Sequence, residues 1–401
     1  MNQQIRNQFP SLSRIHNGQL FTYLDGPAGT QVPISVIEAI SDYYKTSNSN
    51  SHGHFAHTQE TDELLEACRA KVATFIGAKG KHTISFGQNM TTLNFSLSKA
   101  IGRSLKAGDE IVITQLDHES NRGPWLALRE RGIVVREVKL NENGTLNYDD
   151  FSNKINERTR LVAMGWSSNI FGTVNEVSKI RKLTHQVGAW LLLDAVHYAP
   201  HLPIDVEAIG CDFLLCSAYK FYGPHIGLLY CKSGLLDRLQ PDRLRTANQQ
   251  APYSIETGTL NHAAIAGVKA SIEFIESLGQ GASSRERLVN AMNQIHHYEI
   301  KLAQSLWEGL STMKKIQLIG LSMTVDERAP TLSFLHSDKT ADEVGKCLGL
   351  KNICTWSGHF YAIRATEVLG LAEKGGVTRM GISVYNTQKD IERTLAVMEG
   401  I

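Results

Sequence analysis

"WLLLDAVHYAPHLPIDVEAIGCDFLLCSAYK", residues 190–220, contains two short apolar runs, each ending in polar or charged residues. "WLLLD" (190–194) and "FLLCS" (213–217) lack polar alternation, the pattern of strands covered on both faces of a sheet. One connection joins them. If the two strands share a sheet, Asp194 and Lys220 project from the same edge, because ligand sites in parallel sheets collect beyond the strands' carboxyl ends. A lysine between Tyr219 and Phe221 is costly to desolvate, so the position calls for a chemical reason.

The same rhythm extends outward. "TISF" (83–86), "EIVIT" (110–114), "RLVAMG" (160–165) and "IGLLYC" (226–231) are strand-like, and amphipathic helices fall between several of these runs. Pro33 opens a helix with Val36, Ile37, Ile40, Tyr43 and Tyr44 on its apolar face. A second follows the loop containing His52, His54 and His57, and a third spans 175–187, closed by Gly188. This predicts an α/β fold, a mostly parallel sheet flanked by helices over residues 20–265. Residues 1–19 and 266–401 are expected to form a smaller α+β domain, with helices near 262–278 and 284–311, three strands, and a last helix from Thr387.

Composition narrows the class. The 401 residues carry 41 Lys and Arg against 40 Asp and Glu, a net charge of +1, so no strong field for nucleic acid or anionic membrane is expected. No apolar stretch approaches a membrane span, and the beginning lacks a secretory pattern. The six cysteines show neither zinc-ligand spacing nor a compact disulfide framework, which points to a reducing cytoplasm and no metal.

Chemistry follows from the strand ends. A desolvated lysine is nucleophilic and condenses with an aldehyde, and a buried carboxylate can hold a pyridine nitrogen protonated. Lys220 and Asp194 therefore suit pyridoxal phosphate (PLP), or else form a structural ion pair. "QLDHESNRGPW" places His118 just past a strand, where an imidazole can stack on a flat ring and move a proton. Asn169 in "GWSSNIFGT" can hydrogen-bond a phenolic oxygen. "SFGQNMTTLN" passes from strand to helix, so amides around Gln88, Asn89 and Met90 can receive a phosphate. Ser217 and Tyr219 offer hydroxyls to the same phosphate. Phe221 and Tyr222 read as pocket walls, and His52, His54 and His57 are further candidates for the lining.

The run from Asn169 to Tyr230, with "YLDGPAGTQVP" (23–33) and "RMGISVYNT" (379–387), resembles the class V aminotransferase family of PLP enzymes, in its cysteine desulfurase and selenocysteine lyase branch. The resemblance implies PLP-dependent transferase fold type I with a seven-stranded sheet. It implies that Lys220 carries the cofactor's covalent link, that Asp194 pairs with the ring nitrogen and that His118 stacks on the ring. Asn169 is placed near the ring oxygen and substrate carboxylate, and His197 stands where the family usually has a glutamine. Ser217 and Tyr219, with Asn89 and Met90, would bind phosphate. Arg379 would clamp the substrate's α-carboxylate, with Ala28 beside the substrate. "ETGTLN" (256–261) resembles the loop that reaches a neighbouring subunit's phosphate, implicating Thr259 and a homodimer with shared sites.

One motif departs from the pattern. Desulfurases carry a loop cysteine that receives sulfur as a persulfide; in "NICTWSGHFYAIR" (352–364), aligned on Ser357-Gly358-His359, Tyr361 stands in its place, and Trp356 replaces a common arginine. Cys354 is near but strand-like in context. The expectation is an enzyme acting at Cα or Cβ of a small amino acid, by β-elimination or C–S (or C–Se) cleavage without a persulfide on the loop. Transamination, epimerisation, desulfuration through Cys354, and a binding module on the PLP fold are the alternatives.

Overall fold

The computed structural model describes residues 3–324 and 328–401; of the segments assigned to the smaller domain, residues 1, 2 and 325–327 lie outside the described residues. Seven strands build the large sheet: β1 (Ile84–Gly87), β2 (Glu110–Thr114), β3 (Val134–Val138), β4 (Thr159–Gly165), β5 (Trp190–Asp194), β6 (Phe213–Ser217) and β7 (Gly227–Cys231). Their spatial order is β1-β7-β6-β5-β4-β2-β3. Only β7 runs against its neighbours, so the other six share one direction and one carboxyl edge. The six strands expected from apolarity are all present. The edge strand β3 escaped that reading because "VVREV" carries charge and is only partly covered.

Burial explains the central strands. Every residue of β2, β6 and β7 is buried, since helices cover both faces and no side is left for polar alternation. Helices α1 (Ile34–Thr46), α2 (Ala56–Ile76), α3 (Met90–Ser104) and α4 (Val177–Val187) flank the sheet. Asn89 caps α3 through its side chain, which accepts from Thr92 N–H. Gly188 ends α4 at φ +68°, a left-handed backbone that glycine adopts without Cβ strain.

Two long helices, α5 (His262–Ser277) and α6 (Ser284–Ser311), lead to an antiparallel sheet of β8 (Ile316–Ile319), β9 (Thr331–His336), β10 (Trp356–Gly358) and β11 (Val377–Gly381), ordered β8-β9-β11-β10. A separate core of Leu302, Leu306, Leu332, Phe334, Met380 and Ile391 joins this sheet to α6 and to the last helix, Gln388–Met398, which Thr387 and Asp390 cap. Two contacts lock α6 to the large sheet. Glu299, fully buried, accepts from His201 Nδ1 at 2.7 Å and from the Tyr222 hydroxyl at 3.5 Å.

Candidate active site

The shared carboxyl edge opens into a cavity of about 910 Å³. Asn89 and Met90 reach it from the start of α3, His118 from the loop after β2, Ser167–Asn169 from the loop after β4, and Asp194 from the end of β5. Ser217, Tyr219 and Lys220 follow β6; Arg379, on β11, closes the opposite side. Gly227 makes this convergence possible: a Cβ there would lie 2.3 Å from the Asn89 carbonyl carbon, so only glycine lets β7 run beneath the start of α3.

Lys220 is 9% exposed, and burial pushes its amine down to about 7, with the Arg379 charge adding and Asp25 and Asp194 opposing. Its Nζ donates to the carbonyls of Pro27 and of Ala28, the latter at 2.9 Å, and forms no ion pair with Asp194. The structural pairing of the two therefore does not form among the described contacts. Burial raises the Asp194 carboxyl to about 6, while the Val196 N–H it accepts at 3.0 Å holds it down. His118 Nδ1 accepts from Ser120 N–H at 3.0 Å and lies 2.7 Å from the Ser120 hydroxyl, which leaves the ring proton on Nε2. Burial, Lys220 and Arg379 lower this imidazole to about 4, so it is neutral at pH 7.

Several buried polar atoms in the lining have no hydrogen-bond partner among the described residues: Asn169 Oδ1, His197 Nδ1, Ser167 Oγ, Asn175 Oδ1 and Arg379 Nε. Unpaired buried polar atoms are costly, so such a set marks a place for a polar ligand. His197 is fixed by Thr331 Oγ1, 3.0 Å from its Nε2, and burial holds it neutral. Ser217 Oγ accepts from Met90 N–H at 3.0 Å, so the hydroxyl and the helix N-terminus form one cradle. Arg379 Nη1 donates to the Asn169 carbonyl at 2.8 Å, Nη2 lies 3.5 Å from Asp25 Oδ1, and burial lowers the guanidinium to about 10.

Some expected residues lie elsewhere. His52, His54 and His57 are exposed and contribute nothing to the lining; His52 and His54 lie in the loop before α2 and His57 in its first turn, all facing solvent. Gln88 is likewise exposed, leaving Asn89 and Met90 for the cradle. Phe221 and Tyr222 are not walls. Both are fully buried behind Lys220, Phe221 against Phe75 at 5.2 Å and Tyr222, at a left-handed φ of +68°, among Phe9, Phe274 and Tyr385. Thr259 is exposed and outside this cavity. Cys354 pairs in a two-residue strand with Tyr23, outside the lining, and burial raises its thiol.

Sequence reasoning missed Asp25, Asp117, Ser167, Asn175 and Phe360. Asp117 is buried, accepts from the Gly165 and Thr114 amides and is raised by burial to about 7, so it ties β2 to β4 under His118. Its signal was its place beside His118 at a strand end.

Residues 22–394 match the sequence model of the "Aminotransferase class-V" family. The chain belongs to that family. A probable cysteine desulfurase of Synechocystis sp. is 32% identical over 414 residues, covering 98% of this chain and 94% of the relative. A cysteine desulfurase of Cronobacter sakazakii is 31% identical, covering 98% and 96%. Among solved structures, the apo cysteine desulfurase of Thermococcus onnurineus superposes with a TM-score of 0.90 at 27% identity, covering 99% of this chain and 97% of that one. A cysteine desulfurase of Escherichia coli gives 0.88 at 26%, covering 100% and 98%. This class-V aminotransferase thus has PLP fold type I, is a PLP-dependent enzyme, and its family implies pyridoxal phosphate as cofactor. The unpaired polar lining, the Met90–Ser217 cradle and the depressed amine fit that group.

Proposed function

We propose that this enzyme binds pyridoxal phosphate through Lys220 and breaks the Cβ–S or Cβ–Se bond of a small amino acid by elimination, without a persulfide on the 359–362 loop. The observation that carries the reading is one cavity holding Lys220, Asp194 and Arg379 with no cysteine among its described lining residues. Asp194 would hold the ring nitrogen, Ser217, Tyr219, Asn89 and Met90 the phosphate, and His197 and Asn169 the ring oxygen. When bound, the cofactor supplies an electron sink that stabilises negative charge at Cα.

The chain's own residues do the rest. Arg379 binds the α-carboxylate through a planar fork suited to it, with Ala28 beside the substrate. Lys220, its amine near neutral pKa, takes the α-proton; His118, neutral at pH 7, is the second proton acceptor. The Cβ–S electron pair leaves with sulfur, and hydrolysis then yields pyruvate, ammonia and sulfide from cysteine. Desulfuration is a second reading, supported by the relatives' names; Cys354, the cysteine nearest the loop in sequence, sits in a strand outside the cavity.

A panel of L- and D-amino acids, cystine and selenocysteine separates these readings. Elimination yields pyruvate with ammonia, desulfuration yields alanine, and transamination yields keto acid without sulfide. Cys354→Ala is expected to retain turnover within about twofold, the usual scale for a substitution that leaves the site intact. Loss of sulfur release in that variant alone would transfer the chemistry to Cys354.

We also propose a homodimer. The exposed Thr259 loop lies outside its own cavity, and Ile34, Ile37, Tyr44 and Phe55 expose apolar surface on and beside α1 and α2. Six unpaired cysteines support a reducing compartment such as the cytoplasm. No described helix is long and apolar enough to cross a membrane.

A further inference from the structure

The loop between β10 and residue 363 contains the most unusual backbone of the cavity. Phe360 and Tyr361 are consecutive non-glycine residues at φ +52° and +58°, a conformation that aromatic residues rarely adopt. Such outliers persist when their surroundings impose them, and they cluster at functional sites. Here the surroundings are the site itself. The Phe360 carbonyl accepts from Asn169 Nδ2 at 2.8 Å, and the Tyr361 carbonyl accepts from Glu119 N–H, next to His118, at 2.7 Å. Just beyond, Arg364 Nε meets Glu137 at 3.0 Å, fastening the segment to the edge of the large sheet.

The turn sends the two rings to different partners. Tyr361, 65% exposed, lies 5.3 Å from the His118 ring at the mouth. Phe360, 8% exposed, lies under the guanidinium of Arg379, with Cζ 4.0 Å from the ring centroid. Arg379 is buried, and its carboxylate partner among the described residues, Asp25, stands at a loose 3.5 Å. An aromatic face within about 6 Å stabilises a desolvated cation, partly replacing lost water. It also fixes the guanidinium plane, since a flat cation on a flat ring has one favourable tilt. With Nη1 committed to the Asn169 carbonyl and Nη2 beside Asp25, Nε has no partner among the described residues.

We infer that Phe360 is a positioning residue for carboxylate recognition: held by the left-handed pair, its ring fixes the plane of Arg379 so that the free Nε, together with the loosely held Nη2, is offered to the substrate as a fork. The loop then serves as a fixed wall of the binding site. This inference rests on Arg379 being the carboxylate clamp. Small carboxylate-bearing amines are the ligands that depend on Phe360, and amines without a carboxylate do not.

Calorimetry on the cofactor-loaded enzyme tests this with L-alanine, which has the α-amine and α-carboxylate but nothing to eliminate, and with ethylamine, which lacks the carboxylate. Phe360→Leu is expected to weaken L-alanine roughly tenfold, the scale of a desolvated cation–aromatic contact, and to leave ethylamine within about twofold. Phe360→Tyr, which keeps the aromatic face, is expected to restore L-alanine binding. Equal weakening of both ligands, or of neither, overturns the inference; Phe360→Met gives the same comparison if the leucine variant does not fold. A separate arm guards the premise: if Arg379→Lys binds L-alanine as tightly as the parent, the clamp assignment itself fails.

Discussion

Replacing Lys220 with alanine is expected to reduce turnover by at least about a thousandfold, the scale lost when a nucleophile or general base is removed. The structure gives the reason. The amine sits at the base of the cavity, where burial lowers it to about 7, so a large fraction is uncharged at neutral pH. An exposed lysine, titrating near 10.4, would be almost wholly protonated and inert under the same conditions. Cofactor attachment should therefore accelerate as pH rises through about 7 and level off above it, because only the uncharged amine has a free electron pair. The measurement is borohydride reduction of the reconstituted protein at a series of pH values, with peptide mapping. A pyridoxyl label on another lysine, or an attachment rate that climbs only above pH 9, would show that Lys220 is not the depressed amine. Lys220→Ala protein should stay folded, since it removes a charge whose burial opposes folding.

The second large effect is expected from Arg379→Lys. Lysine keeps the positive charge beside Asp25, which limits the penalty of stranding a buried carboxylate, but it has no planar fork. Loss of the paired hydrogen bonds to a substrate carboxylate should lower kcat/KM about a hundredfold, roughly 2.7 kcal/mol, mostly through KM. Steady-state kinetics with L-cysteine measure this. An unchanged KM would move carboxylate binding to another residue, and a matched fall in kcat with constant KM would mean that Arg379 acts only in the transition state.

Much of the site was legible because parallel sheets leave a periodic signature. Each central strand is a short apolar run with a polar residue just beyond it, so His118, Asn169, Asp194, Ser217 and Lys220 could be found by looking at run ends. The edge strand β3 was not visible, since partial exposure lets charge into its sequence. The loop histidines illustrate the opposite error. Residue type suggested a lining role for His52, His54 and His57, but their direction depends on how the chain passes from α1 into the first turn of α2, and there all three face solvent. Phe221 and Tyr222 failed for a similar reason: both rings pack into the core, against Phe75 and against Phe9, Phe274 and Tyr385, a direction that residue type does not give.

Sequence by itself determined the alternation of strands and helices, the identity of the amine and carboxylate at adjacent strand ends, and the absence of a cysteine where Tyr361 stands. These are local properties: apolar periodicity and residue chemistry are written along the chain. Tertiary structure alone decided that Asp25 and Phe360 flank Arg379, residues separated from it by 354 and 19 positions, and that Asn169 spends its amide on the loop. It also decided that Lys220 rests on the carbonyls of Pro27 and Ala28 rather than on Asp194. Contacts of that kind depend on how the small sheet docks on the large one, and the shift of a buried amine depends on the charges and desolvation which that docking creates.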